Sequence, residues 1–147
     1  MPLSPPPVDA EGVIIPHNHP EVMSNHPVVH RVHKEWTVPD KGVVRLSSMA
    51  FKSSTRGKYP GMSVDLVCHM EDAGIDPKAL ITKDPLLGSI VFTAGDLRAA
   101  GYKVGSEPVD GNLFHGEVWG DFKLADRVLR ALAQWYVPLP NVQIAHP

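Results

Sequence analysis

Hydrophobic and polar positions change period several times along this chain. In VVHRVHKEW (28–36) an extended segment places Val28, Val32 and Trp36 on one face and Arg31 and His33 on the other, with His30 opposite them. VVRLSSMAF (43–51) alternates more weakly and predicts a second strand. GSIVFTA (88–94) is a short apolar run that reads as a buried strand, and YKVGSEPV as a strand fading into a turn. NLFHGEVWG is the best-marked strand of the second half, with Phe114, Gly116 and Val118 alternating with His115, Glu117 and Trp119. PLPNVQI predicts a final edge strand.

Helical spacing appears elsewhere. SVDLVCHMEDAG (63–74) predicts a helix, with Ser63 as N-cap, Asp65 at its positive start and Gly74 as the C-terminal glycine. Asp76-Pro77 predicts a short helix over PKALI, and GDLRAAG another that ends at Gly101. DFKLADRVLRALAQWY (121–136) gives the clearest helical pattern, opened by Asp121, with Leu124, Val128, Leu132 and Trp135 on one face. Interspersed strands and helices with short connections predict a single α+β domain. Its sheet should be mixed or mostly antiparallel, packed by one long C-terminal helix and short helices. No glycine-rich phosphate loop supports a doubly wound nucleotide fold.

Residues 1–27 follow neither period. Seven of the fifteen prolines fall here, each fixing its own φ and biasing its predecessor toward extended backbone. The expected division is therefore a Pro/His-rich N-terminal arm over 1–27 and a globular domain over 28–147. The arm is suited to contact with a protein partner or to self-association as a homo-oligomer.

Composition narrows the function classes. The 147 residues are 43% hydrophobic and 20% charged, within the range of a soluble domain with its own core. A net charge of −2 gives no general attraction to nucleic acid or acidic membranes. The lone Cys68 cannot form an internal disulfide and reads as a small hydrophobe. MPLSPPPVDAEG lacks the charged start and apolar run of a secretion signal, and no segment holds the roughly 20 apolar residues of a membrane span, so a cytoplasmic location is expected.

Candidate chemistry concentrates on histidine. Five of the eight histidines lie between residues 17 and 33. His17 and His19 sit in the Pro-rich arm without a paired ligand motif and read as solvated polar residues. His33 shares a strand face with Arg31. His115 and Glu117 share another, and an acid beside an imidazole can move a proton, orient a general base or hold a metal. Arg45 and Ser47 share a third strand face as candidate ligand-binding residues. No GxSxG elbow supports a hydrolase serine.

In order, HRVHKEW, SSMAF, SVDL, FTAGDLR and HGEVWG resemble a group of small uncharacterised bacterial proteins over roughly residues 28–137. That resemblance implies a bacterial source and one compact domain, and supplies no activity. The order Arg31 or His33, then Ser47 and Ser48, then Glu117 also resembles the ADP-ribosyltransferases. It implies that Arg31 or His33 touches NAD, that Ser47 supports the site and that Glu117 polarises the ribose. The chain departs from that pattern in a short first gap, a doublet in place of the serine-threonine-serine triplet, and a long second gap.

Three function classes follow. The first is a ligand- or partner-binding module with a polar pocket from Arg31, His33, His115 and Glu117. The second is an enzyme using those four residues as catalytic groups, NAD-dependent transfer being its most specific form. The third is a metal-binding protein or metal-dependent hydrolase in which His33, His115 and Glu117 converge. The sequence identifies no cofactor and leaves catalysis open.

Overall fold

The computed structural model describes residues 3–147, apart from the side chain of Leu80. Met1 and Pro2 of the expected arm lie outside the described residues. In chain order the elements are β1 (Pro27–His33), β2 (Thr37–Asp40), β3 (Val43–Leu46), β4 (Met62–Leu66), α1 (Val67–Asp72), α2 (Ala79–Thr82), β5 (Leu87–Thr93), α3 (Ala94–Ala99), β6 (Lys103–Ser106), β7 (His115–Trp119), α4 (Ala125–Leu132), β8 (Gln134–Val137) and β9 (Val142–Gln143). Short 3-10 turns cover Lys34–Trp36 and Ser48–Phe51. Six strands form one sheet in the order β6-β7-β4-β1-β5-β8, every pair antiparallel. β2, β3 and β9 form a second sheet, in which β3 and β9 run parallel. The fold is thus a single α+β domain, mostly antiparallel, with few and short helices.

Alternation along the strands builds the core. Val28 and Val32 of β1, Val64 and Leu66 of β4, and Ile90 and Phe92 of β5 are buried in one cluster with Leu97 of α3, Leu129 of α4 and Phe51. Each fully buried side chain of this size contributes about 1.5–3 kcal/mol relative to exposure. The opposite face carries Val29 and Arg31 of β1, Ser63 and Asp65 of β4, and His115, Glu117 and Trp119 of β7, as the strand registers require.

Three expected elements differ. Residues 63–66 belong to β4 instead of opening a helix. Met62, Val64 and Leu66 are buried on one side, and Met62–Asp65 pair with β7 residue by residue, which outweighs the local cap signal of Ser63. The helix begins only at Val67, and it ends as its glycine foretold: Gly74 has φ of +76°, and the Ile75 and Gly74 N–H groups donate to the Met70 and Glu71 carbonyls. The expected long helix over 121–136 shrinks to Ala125–Leu132. Asp121 instead closes a turn by accepting from the Lys123 N–H, and Gln134–Val137 leave the helix as an edge strand against β5. Finally, β3 stops at Leu46, where the Ser47 hydroxyl accepts from the Met49 N–H and starts a 3-10 turn.

The N-terminal segment lies on its own domain. Val22 is buried in the core cluster, and the His19 N–H donates to the Val104 carbonyl along the free edge of β6. Asn18 Oδ1 accepts from the Val104 N–H at 2.9 Å and from Arg98 Nε at 3.0 Å. An edge strand exposes unpaired backbone groups, and here residues 18 and 19 satisfy part of that edge. The reading of His17 and His19 as solvated is corrected: His19 is buried, and His17 is half-buried against Trp119, their rings 5.2 Å apart. His17 Nδ1 donates to the Ile15 carbonyl, while Nε2 accepts from the Ser106 N–H. One ring nitrogen donates and the other accepts, so the imidazole is neutral, and burial lowers its pKa further from the usual value.

Candidate functional site

β1 and β4 are neighbours, yet they pair over only two positions, Val28 with Leu66 and Val29 with Asp65. Beyond them the strands part. His30 enters the gap and its Nδ1 donates to the Ser63 carbonyl at 2.7 Å, while its ring stacks on Trp36. Burial holds the His30 pKa below the ordinary histidine value; the Ser63 and Ala50 carbonyls and the Asp65 charge act more weakly the other way. The parting opens a cleft of about 1480 Å³, walled by the 52–56 and 109–115 loops.

Arg31 and Asp65 form the polar floor of this cleft. Arg31 Nε and Nη2 donate to the two carboxylate oxygens of Asp65 at 2.9 and 3.2 Å. Asn112, from the 109–115 loop, adds a third donor at 3.2 Å, so Asp65 is both neutralised and fixed in plane. The rim carries Lys52 and Arg56 with three hydroxyl residues between them, facing a single acid, Asp110. Trp36, Met49, Met70 and Ile75 supply apolar wall. Such a surface suits a ligand with an apolar body and a negative group.

His115 lines the far end of the cleft and joins a second cluster. Its Nδ1 donates to the Glu107 carbonyl at 2.8 Å, which leaves Nε2 the lone pair. Glu107, His115 and Glu117 each offer a ligand atom, all within 4.8 Å of one another. Glu117 is 4% exposed, and its neighbours on the sheet are glycine-rich: Gly105 is its register partner on β6. A Cβ on Gly61 would stand 2.9 Å from Glu117 Oε1, so the carboxyl occupies a slot that only glycine leaves open. Burial, and then the charge of Glu107, push the Glu117 pKa up to about 8, against the weaker opposing pull of hydrogen bonds from Gly61 and Ser63.

The structure separates the residues singled out from sequence. Arg31, His115 and Glu117 lie on one face of one sheet, with β4 between β1 and β7, and Asp65 links the two sides as register partner of both Val29 and His115. His33 stands at the end of β1, where its Nδ1 accepts from the Glu35 N–H and starts a 3-10 turn; it joins neither cluster. Arg45 is paired with Asp40 at 2.7 Å in the second sheet, and Ser47 is buried as a turn cap. Of the residues in the transferase comparison, Arg31 alone lines the cleft.

Three residues of these clusters escaped the sequence reading. Asp65 carried a plausible helix-start signal that masked its place in a strand. Asn112 and Glu107 lie in polar turns, where their residue types are ordinary. The one available cue was the even spacing of Ser63 and Asp65 within MSVDL, which matches a strand as well as a helix. No family model, curated protein or solved structure matches this chain. None of the helices among the described residues is long and apolar enough to cross a membrane.

Proposed function

We propose that this domain binds an elongated organic ligand with an apolar body and an anionic group, in the cleft between β1 and β4. The observation that carries this reading is the early parting of the two central strands, which leaves a charged, hydrogen-bonded floor beneath about 1480 Å³ of space. That volume exceeds the roughly 300–1,000 Å³ of most small-ligand sites, which favours an elongated occupant. Asp65 is already neutralised by Arg31, so Lys52 and Arg56 set the sign of the rim. Contact with a protein partner through residues 1–27 draws less support, because Val22 and His19 are buried against their own domain.

The probe for this reading is 1-anilinonaphthalene-8-sulfonate, which joins an apolar body to a sulfonate. Titration should give saturable binding to one site per chain, with enhanced fluorescence. Reversing both rim charges, Lys52→Glu with Arg56→Glu, should weaken it at least about tenfold, the effect of roughly 1.4 kcal/mol. Non-saturable binding, or equal affinity after charge reversal, would remove the reading.

A further inference from the structure

We infer that Glu107, His115 and Glu117 form a binding site for a divalent transition cation, Zn²⁺ or Mn²⁺, at the end of β7. Two carboxylates and one imidazole are a donor set for such ions. Their three ligand atoms lie within 4.8 Å of one another, close enough for small side-chain movements to bring all three to the roughly 2.0–2.2 Å that a bound ion needs. The sequence reading placed His33 in this role; the fold supplies Glu107 in its place, from the turn between β6 and β7.

A second observation points the same way. Glu117 is a 4% exposed carboxyl beside another carboxyl, and among the described residues no lysine or arginine forms a salt bridge with it. A buried carboxyl either stays protonated or, when ionised, is paired with a cation or ligates a metal. Arg31, on the same sheet face two strands away, is committed to Asp65 by two hydrogen bonds. The ring of His115 is held by its Nδ1–H contact with the Glu107 carbonyl, the backbone support that metal-bound histidines commonly have. Gly61 leaves the slot that the Glu117 carboxyl occupies, while the His17 ring covers Gly105 beside it.

This site stands independently of the cleft ligand. The test uses the full chain, stripped with chelator, dialysed, and titrated calorimetrically with ZnCl₂ and separately with MnCl₂. The expected result is one equivalent bound by the wild type. Glu107→Gln and Glu117→Gln should each lower affinity at least about tenfold, and His69→Gln, in a histidine pair elsewhere, should leave it unchanged. Glu107 is half-exposed, so its variant decides the matter if Glu117→Gln fails to fold. No saturable binding, unchanged affinity in Glu107→Gln, or loss of the ion in His69→Gln would overturn the inference.

Discussion

Arg31 and Asp65, on two strands that barely pair, are joined by a two-pronged ion pair at 2.9 and 3.2 Å. The arginine side chain is 38% exposed and the aspartate 6%. Removing the arginine therefore strands a buried carboxylate with Asn112 as its remaining donor. Arg31→Ala is expected to cost about 1–3 kcal/mol, below the roughly 3–5 kcal/mol of a fully buried pair because water reaches the guanidinium. Asp65→Asn, which removes the charge but keeps a carbonyl acceptor, should cost less. Urea unfolding of both variants measures this, and a loss under about 0.5 kcal/mol for Arg31→Ala would show the pair to be energetically idle.

His30 should make the protein acid-sensitive. Its folded pKa lies below the unfolded value of 6.5, so the unfolded chain binds more protons once pH falls beneath that value. The contribution of neutral His30 is complete above pH 6.5 and is lost as pH falls toward the folded pKa. Half-buried His17 and His69, also lowered by burial, add to the same limb. His30→Gln should therefore remove the destabilising share of His30 between pH 7.5 and 5, a window in which the raised Glu117 pKa acts the other way. Parallel curves for wild type and variant would contradict the assignment.

Gly61 is predicted to resist even a methyl group. A Cβ there would meet the Val118 backbone carbonyl at 2.6 Å, which no rotamer change relieves, as well as the Glu117 side chain. Gly61→Ala should destabilise by about 1–3 kcal/mol, the range for overpacking a tight site. Thermal unfolding alongside Gly57→Ala gives the contrast: Gly57 has open space around it, and its strain comes only from φ of +80°. A smaller loss at Gly61 than at Gly57 would refute the packing argument.

Asn18 fastens the N-terminal segment to β6. Truncating it to alanine leaves the Val104 N–H and Arg98 Nε without their side-chain acceptor. The expected cost is about 1–3 kcal/mol, with faster proteolytic cleavage within residues 3–26 than in the body. Equal cleavage rates in variant and wild type would show that the segment is held by its other contacts alone.

The fold class was legible because it depends on alternation, which β1 and β7 display without interference, and on the short apolar run of β5. Helix lengths were not. The 121–136 pattern satisfies a helical face as far as Leu132, but Gln134, Trp135 and Val137 pair with Val91, Ile90 and Ser89 of β5, and long-range strand pairing overrides a local period. The site was half visible. His115 and Glu117 alternate within one strand, so their shared face could be read, as could that of Arg31. Asp65 and Glu107 become meaningful only when registers across β4, β6 and β7 are known, and register is a property of the assembled sheet. His33 shows the converse: correctly placed on its face, it is consumed by a turn cap two residues on.

The position of β1 near the N-terminus and at the middle of the large sheet has a kinetic consequence. Both of its partners, β4 and β5, lie downstream, and pairing His33 with Leu87 closes a loop of about fifty residues. During synthesis PVVHRVH must wait until β4 emerges to pair at Val28 and Val29, and until residue 93 emerges to pair along its whole length. Folding dominated by such non-local pairing falls in the slow, millisecond-to-second range, and the nascent strand is the segment on which a chaperone or a second nascent chain would first take hold.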